Sequence, residues 1–474
     1  MTAPPPTLVW FRRDLRLGDH PALCAAIARG GPVILVFIRD AQVDTLGAGP
    51  KWRLGLSLAD LSRQLQARGS RLILRSGPVE DVLAALVRET GADAVHWTRG
   101  YDPGAIAAGT AVKTMLRADG IAADSHPGHL LHEPRTVKTG AGGCYRVYSP
   151  FWRAIRGRDV PAPMAEPGGI PPPDNWPDSD SLSDWRLGAA MGPGAAVCLP
   201  HQRVGEAAAR ARLDWFMDEA IAGYGEARDR MAEDGCSGLS QNLGLGEVSP
   251  RQCWHAALRA LNEGAQGAES WLRQLAWREF AWHLLYHFPG LDLRNWREGW
   301  EEFPWSTDPD SAAVRRWKRG RTGVPLVDAA MRQMYVTGQM HNRARMIAAS
   351  YLTKHMLVHW KVGLDWFAQC LTDWDPAANA MGWQWVAGCG PDASPYFRIF
   401  NPETQATKFD SSGAYRRRWI AEGQTAPPQT ALGFFDAAPA AWGLRPDAPY
   451  PAAPMVGLAE GRARALAAYD ARPR

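Results

Sequence analysis

The stretch CLTDWDPAANAMGWQW, Cys370 to Trp385, sets three indoles, two carboxylates and one asparagine within sixteen residues. Indoles provide flat stacking surfaces, and carboxylates and amides can hold the polar edge of a ring by hydrogen bonds. The combination points to a flat aromatic or redox-active group enclosed by the second half of the chain. Tryptophan usage agrees: of 22 in the chain only Trp10, Trp52 and Trp97 precede residue 130, whereas thirteen lie from Trp254 to Trp385.

Other segments carry matching chemistry. In SWLRQLAWREFAWHLLYHF, Ser270 to Phe288, helical spacing puts Trp271, Gln274 and Arg278 on one face with Trp277 beside Gln274. An amide, a guanidinium and two indoles resemble the lining of a polar, aromatic pocket more than an aliphatic core stripe. MHNRARMIAASYLTKHMLVHWKVG, Met340 to Gly363, reads as one long helix with Asn342, Arg345 and Met346 three and four apart. GCSGLSQNLGLGEVSPR, Gly235 to Arg251, offers small residues, hydroxyls and backbone amides able to cradle a pyrophosphate. The pairs His283/His287 and His355/His359 have metal-like spacing but lack the glutamate of H-E-x-x-H and a third ligand, so no metal is expected. Without G-x-S-x-G, a Walker loop or a papain-like cysteine context, hydrolase and kinase chemistry has no support.

These groups must be positioned by more than one domain, since 474 residues exceed a single core. The short apolar runs TLVWF, PVILVFI, RLILRSG and AVHWT alternate with helical patterns over the first 130 residues. That order predicts an α/β domain at 1–131, with a parallel, doubly wound, Rossmann-like sheet. Its first loop, RRDLRLGD, is not G-x-G-x-x-G, so any ligand there is held differently from a Rossmann dinucleotide. Residues 132–203, rich in Pro, Gly, Asp and Ser, read as a connector draped over the surface, and 204–474 as an all-helical domain.

Composition sets the remaining bounds. Charged residues are 22% and apolar ones 46%, ordinary for a soluble protein. No apolar run is long enough to span a bilayer and the N-terminus does not read as a signal peptide, so no membrane association and a cytoplasmic location are expected. The seven scattered cysteines, with no C-x-x-C, are expected to be free thiols. A net charge of +4 says little, but RRWKRGR (Arg315 to Arg321) and YRRRW (Tyr415 to Trp419) interleave cations with aromatics, as phosphate-backbone binders do.

Taken in order, LVWFRRDLRLGDHPAL, WREF, GVPLVDAAMRQMYVTGQMHNRARM, DWDPAANAMGWQW and SPYFRIFNPETQATKFD resemble the photolyase/cryptochrome family over most of the chain. The resemblance implies an α/β antenna domain, a long linker and an all-α domain holding FAD. It also implies that Tyr224 and the loop Cys236, Ser237, Gly238, Leu239, Ser240 hold the flavin's phosphates and ribityl chain. Trp271, Arg278, Asn342, Asp373 and Asp375 match other flavin-pocket positions, with Arg345 paired to Asp373 and Asn379 facing the N5 edge. Trp383, Trp360 and Trp305 match an electron relay from the protein surface to the flavin. Trp277 and Trp385 match the wall for a flipped pyrimidine pair, with Gln274, Asn342 and Met346 beside it. Arg228, Arg343 and the Arg315–Arg321 run are expected to grip phosphates.

The implied activity is light-driven repair of cyclobutane pyrimidine dimers in DNA, by a monomer, through electron donation from excited reduced FAD to an extruded lesion. A second antenna chromophore (folate, deazaflavin or flavin) is compatible with the N-terminal domain. Met346 stands where (6-4) photolyases carry a histidine, which favours cyclobutane dimers. Gln274 stands where cyclobutane enzymes usually carry glutamate, which implies slower repair or a sensory role. CSGLS replaces the usual T-S-R-L-S, removing a hydroxyl at Cys236 and a cation at Gly238. The rivals are a cryptochrome-like blue-light photoreceptor, whose long C-terminal tail is not expected here, a (6-4) photolyase-like enzyme, and a light-independent flavoprotein.

Overall fold

A computed structural model describes residues 4–392 and 397–472. Five parallel strands form one sheet in the order β3-β2-β1-β4-β5. They are β1 (Thr7–Phe11), β2 (Val33–Arg39), β3 (Leu72–Ser76), β4 (Ala94–Thr98) and β5 (Ala122–His126). The register sets Val9 opposite Leu35 on one side and His96 on the other. Period-two alternation sends Val9, Phe11, Leu35 and Phe37 to one face, under helices Pro21–Ala28 and Ala48–Gln66. Leu8, Trp10, Val36 and Trp97 go to the other, under Val79–Thr90 and Pro103–Ala118. Both faces are buried, which is why these strands read as continuous apolar runs.

The fifth strand, AADSH, has no apolar signature; it forms as the sheet's edge, where only Ala123 of its five residues is buried. The connector also departs from expectation. Helix Tyr148–Ile155 drives Phe151, Trp152 and Ile155 into the helical core against Phe280 and Trp254. Further on, Ile170, Trp185 and Leu187 pack beneath the sheet. The connector is therefore structural at several points along its length.

In the helical domain, Ala268–His287 is buried on most sides, and Pro376–Ala387 packs along it. Met340 to Gly363 is not one helix. Asn342–Ser350 runs into a π-helical turn at Tyr351–His355, Leu357 turns left-handed at φ 51°, and a new helix starts at Trp360. His359 caps that start by accepting from the Lys361 N–H at 3.1 Å. A polar cap was hidden inside a run whose spacing looked helical throughout.

A fully buried ion pair joins the two halves. Arg53 donates to both oxygens of Glu247 (3.0 and 2.7 Å), and Glu247 also accepts from Asn242 Nδ2 (2.6 Å) and the Gly205 N–H (3.0 Å). Breaking such a pair strands a charge, while replacing both partners by apolar groups does not. Glu247→Ala is expected to cost about 3–5 kcal/mol of stability, and the double variant Arg53→Met/Glu247→Leu less; thermal melting of the two compared with the parent checks this.

Candidate functional site

The Gly235–Arg251 loop is shaped by residues remote in sequence. Arg212 donates to the carbonyls of Cys236 and Ser237 (both 2.7 Å) and forks onto Asp234 at 2.6 and 2.9 Å. Gly238 adopts φ +65°, and the place a Cβ would occupy lies 3.4 Å from Arg203 and 3.6 Å from Arg212. Two guanidiniums thus stand over the loop that itself lacks the usual arginine. Neither was singled out from sequence, because nothing local to the loop signals them. Cys236 is half-buried, its thiol donating to the Arg228 carbonyl at 3.7 Å, and burial pushes it up, away from thiolate. Tyr224 packs edge-on against Phe216, and Leu239 lies in the same core.

Ser240, the last residue of the motif, donates its hydroxyl to Asp373 Oδ2 at 2.6 Å. The same oxygen accepts from Arg345 at 2.7 Å, and Arg345 is held by the Met340 carbonyl. Asp373 is buried, yet its Oδ1 has no partner, an orphaned acceptor aimed away from the cluster that satisfies Oδ2.

Asp375 spends both oxygens within the protein. Oδ1 caps helix Pro376–Ala387 through the Ala378 N–H (2.8 Å), and Oδ2 accepts from Trp282 Nε1 (3.0 Å). Asn379, one turn on, donates to the Asp375 carbonyl at 3.0 Å, which orients its amide. On the neighbouring helix Trp271 is buried against Phe216, while Arg278 donates to the carbonyl (2.9 Å) and Nε2 (3.2 Å) of His129. Burial and the adjacent arginines hold His129 well below its usual range, so the ring is neutral and can accept.

The three indoles of the expected relay lie in one buried cluster. Trp383 rests on helix Trp360–Cys370 at Gly363, where a Cβ would meet the indole at 2.0 Å, so only glycine admits the ring. Trp360 lies one turn before Gly363 on the same helix, and its Nε1 donates to Asn295 at 2.8 Å. The His359 ring bridges outward, 5.3 Å from Trp360 and 5.2 Å from Trp305. Trp305 is anchored by Nε1 donating to the Thr353 carbonyl at 2.9 Å.

The residues of the expected lesion wall differ in exposure. Gln274, Trp277, Arg343, Met346 and Trp385 are half-buried and Asn342 is exposed. Gln274 Oε1 accepts from Arg228 at 3.3 Å, Asn342 reaches the Met346 sulfur at 3.8 Å, and Arg343 pairs with Asp229 at 2.7 Å. The Arg315–Arg321 run, also expected to grip phosphates, makes contacts within the chain as well. Arg321 binds Glu422 (3.1 Å) and the Pro449 carbonyl (2.8 Å), Lys318 binds the Pro309 carbonyl, and Arg319 covers Trp442. These cations satisfy intramolecular acceptors.

A cavity of about 120 Å³ opens at the C-terminal ends of β1, β2 and β4. Trp10, Phe37 and Tyr101 line it on the sheet side, and Gln241, Trp282 and Asp373 on the helical side. Ligands of open parallel sheets sit at this end of the strands. The cavity therefore shares Asp373 with the site below it.

Comparison with known proteins agrees with this geometry. Residues 7–168 match the family model described as DNA photolyase, and residues 271–471 match that of the FAD binding domain of DNA photolyase. A deoxyribodipyrimidine photo-lyase of Agrobacterium fabrum is 46% identical over 471 residues, 98% of each chain. Another from Synechococcus is 39% identical over 440 residues, 88% of each chain. Among solved structures, a class III photolyase from Agrobacterium tumefaciens superposes with TM-score 0.91 at 44% identity, covering 99% of this chain and 98% of that one. A cryptochrome from Synechocystis gives 0.84 at 27% identity, covering 98% and 100%. An archaeal photolyase from Sulfolobus tokodaii, solved with two FAD molecules, gives 0.79 at 26%, covering 98% and 99%. With its parallel sheet, its helical FAD-binding domain and nearly its whole length matched, this chain belongs to the photolyase/cryptochrome family.

Proposed function

We propose that the protein uses light to split cyclobutane pyrimidine dimers in DNA, with FAD as its working cofactor. One observation carries the reading: helix Pro376–Ala387 presents a buried indole and a half-exposed one to opposite sides. Asn379 and Trp383 are one turn apart and share the buried face, whereas Trp385, two residues on, points about 200° away. Electron supply and lesion contact are thus served by a single rigid element.

The residues present suit an FAD. Arg203 and Arg212 bring positive charge to the Ser237–Ser240 loop, which supports a pyrophosphate there. The unpaired Asp373 Oδ1 calls for a donor such as a ribityl hydroxyl, and the Asn379 amide supports the polar edge of a redox ring. When bound and reduced, such a group supplies the photoexcited electron that breaks the dimer.

The protein's share is placement, dryness and charge. Trp277 and Trp385 would take the flat faces of an everted lesion, Met346 and Asn342 its rim, and Arg228 and Arg343 the flanking phosphates. Gln274 would hold the pyrimidine edge; an amide bonds there without supplying a proton. Trp305, Trp360 and Trp383 would conduct an electron inward through their shared packing. The cavity against the sheet supports a second, light-harvesting chromophore. A signalling role draws support only from Gln274 and the cryptochrome fold match.

Three outcomes are expected. Blue irradiation of the reduced protein with a dimer-containing oligonucleotide restores thymines in a light-dependent way; absence of restoration would overturn repair in favour of signalling. Trp383→Phe slows photoreduction of the oxidised flavin by about tenfold or more while chemically reduced variant protein still repairs, as followed by flavin absorbance and thymine release. Gln274→Glu raises repair turnover several-fold, measured at saturating DNA under constant light.

A further inference from the structure

Trp277 is not free to turn. Its indole lies flat on the ring of Tyr148, with centroids 3.7 Å apart and planes within 6°. Aromatic pairs left to themselves prefer offset or edge-on arrangements, so near-complete overlap requires an outside constraint. The Tyr148 hydroxyl supplies one, donating at 2.8 Å to the carbonyl of Arg273, one turn before Trp277 on the same helix. Tyr148 is itself only 4% exposed and begins the connector helix Tyr148–Ile155.

The other end of Tyr148 leads to the second indole. Its backbone N–H points to Asp392 Oδ1 at 3.4 Å, and the Asp392 carbonyl accepts from Trp385 Nε1 at 3.1 Å. Asp392 holds φ +52°, a left-handed conformation that a non-glycine residue keeps only when its surroundings fix it. A continuous chain of contacts, Trp277 to Tyr148 to Asp392 to Trp385, therefore joins the two indoles and passes through the connector.

We propose that Tyr148 is a positioning residue for lesion recognition. By clamping Trp277 face-on and tying it through Asp392 to Trp385, it fixes the two indoles before DNA arrives. A wall already ordered loses no side-chain entropy on binding, which raises affinity for a ligand whose flat faces match the fixed orientation. A covalently joined pyrimidine pair is such a ligand, whereas an intact nucleotide step that stays in the duplex never meets the wall. The clamp should therefore act on discrimination and leave the chemistry alone. This inference rests on the reading of Trp277 and Trp385 as the lesion wall.

The test uses the full-length, flavin-loaded protein. Tyr148→Leu, Tyr148→Phe and Trp277→Leu are compared for affinity to a dimer-containing and an undamaged duplex, repair per absorbed photon at saturating DNA, and flavin photoreduction. Tyr148→Leu is expected to weaken binding of damaged DNA by about 3- to 10-fold, leaving undamaged-DNA affinity, repair yield at saturation and photoreduction at parental values. Tyr148→Phe, which keeps the ring but loses the hydroxyl's hold on Arg273, falls between Tyr148→Leu and the parent. Parental discrimination in Tyr148→Leu, or equal losses on both duplexes, overturns the proposal. If Tyr148→Leu does not retain flavin, Tyr148→Met, which refills the space without a ring, is read in the same way. Trp277→Leu separates the two ideas: no effect of that variant on discrimination refutes the wall itself, whereas an effect there with none at Tyr148 refutes the clamp alone.

Discussion

The carboxylate of Asp375 is the constraint on which the site depends. One oxygen caps the helix that carries Asn379, Trp383 and Trp385, and the other accepts from Trp282 on the helix that carries Gln274, Trp277 and Arg278. An N-cap of this kind contributes about 0.5–2 kcal/mol, and sharing the carboxylate with a buried indole makes the cap also a register pin between two helices. A shift of either helix would leave a buried donor or acceptor unpaired, which costs more than the bond contributes. Next to it, Asp373 performs a similar service for the loop and for Arg345, but keeps one oxygen unspent. The neighbouring pair of aspartates thus divides into one that builds the frame with both oxygens and one that keeps an acceptor unpaired.

Much of this was legible in the sequence, for identifiable reasons. Strands buried on both faces show as apolar runs, so β1 to β4 were readable, whereas AADSH at the sheet edge was not. The helix break near Leu357 escaped because neither proline nor glycine marks it. The chain turns instead through a π-helical turn and a left-handed leucine, and then restarts on a histidine cap. The family resemblance implied that Ser240, Arg345, Asp373 and Asn379 belong together, and the fold brings Ser240, Arg345 and Asp373 into one hydrogen-bonded group.

What stayed hidden is non-local. Arg203 and Arg212 reach the loop from outside it, His129 reaches Arg278 from the end of the α/β domain, and Tyr148 reaches Trp277 from a segment whose composition looked like surface. The contacts of the Arg315–Arg321 run are non-local in the same way. Local composition counts donors but says nothing of acceptors folded against them, and here Glu422 and two backbone carbonyls accept from Arg321 and Lys318. Substituting a cation in one place and importing two in another is visible only in three dimensions.

In the proposed reading, burial rather than residue type distinguishes the roles of the indoles. Trp383, Trp360 and Trp305 are chemically identical to Trp277 and Trp385, but the first three sit in a dry, aromatic cluster and the last two border solvent. A buried indole is shielded from water and held at fixed spacing by its neighbours, conditions that favour passing charge along a packed path. A half-exposed indole has a face left over, and the most favourable use of that face is to be covered. Because Trp383 and Trp385 stand on one helix only two residues apart, the inward path and the outward surface are held in fixed relation by backbone geometry alone, independent of any loop. The order of the site is therefore as rigid as the helix and its Asp375 cap.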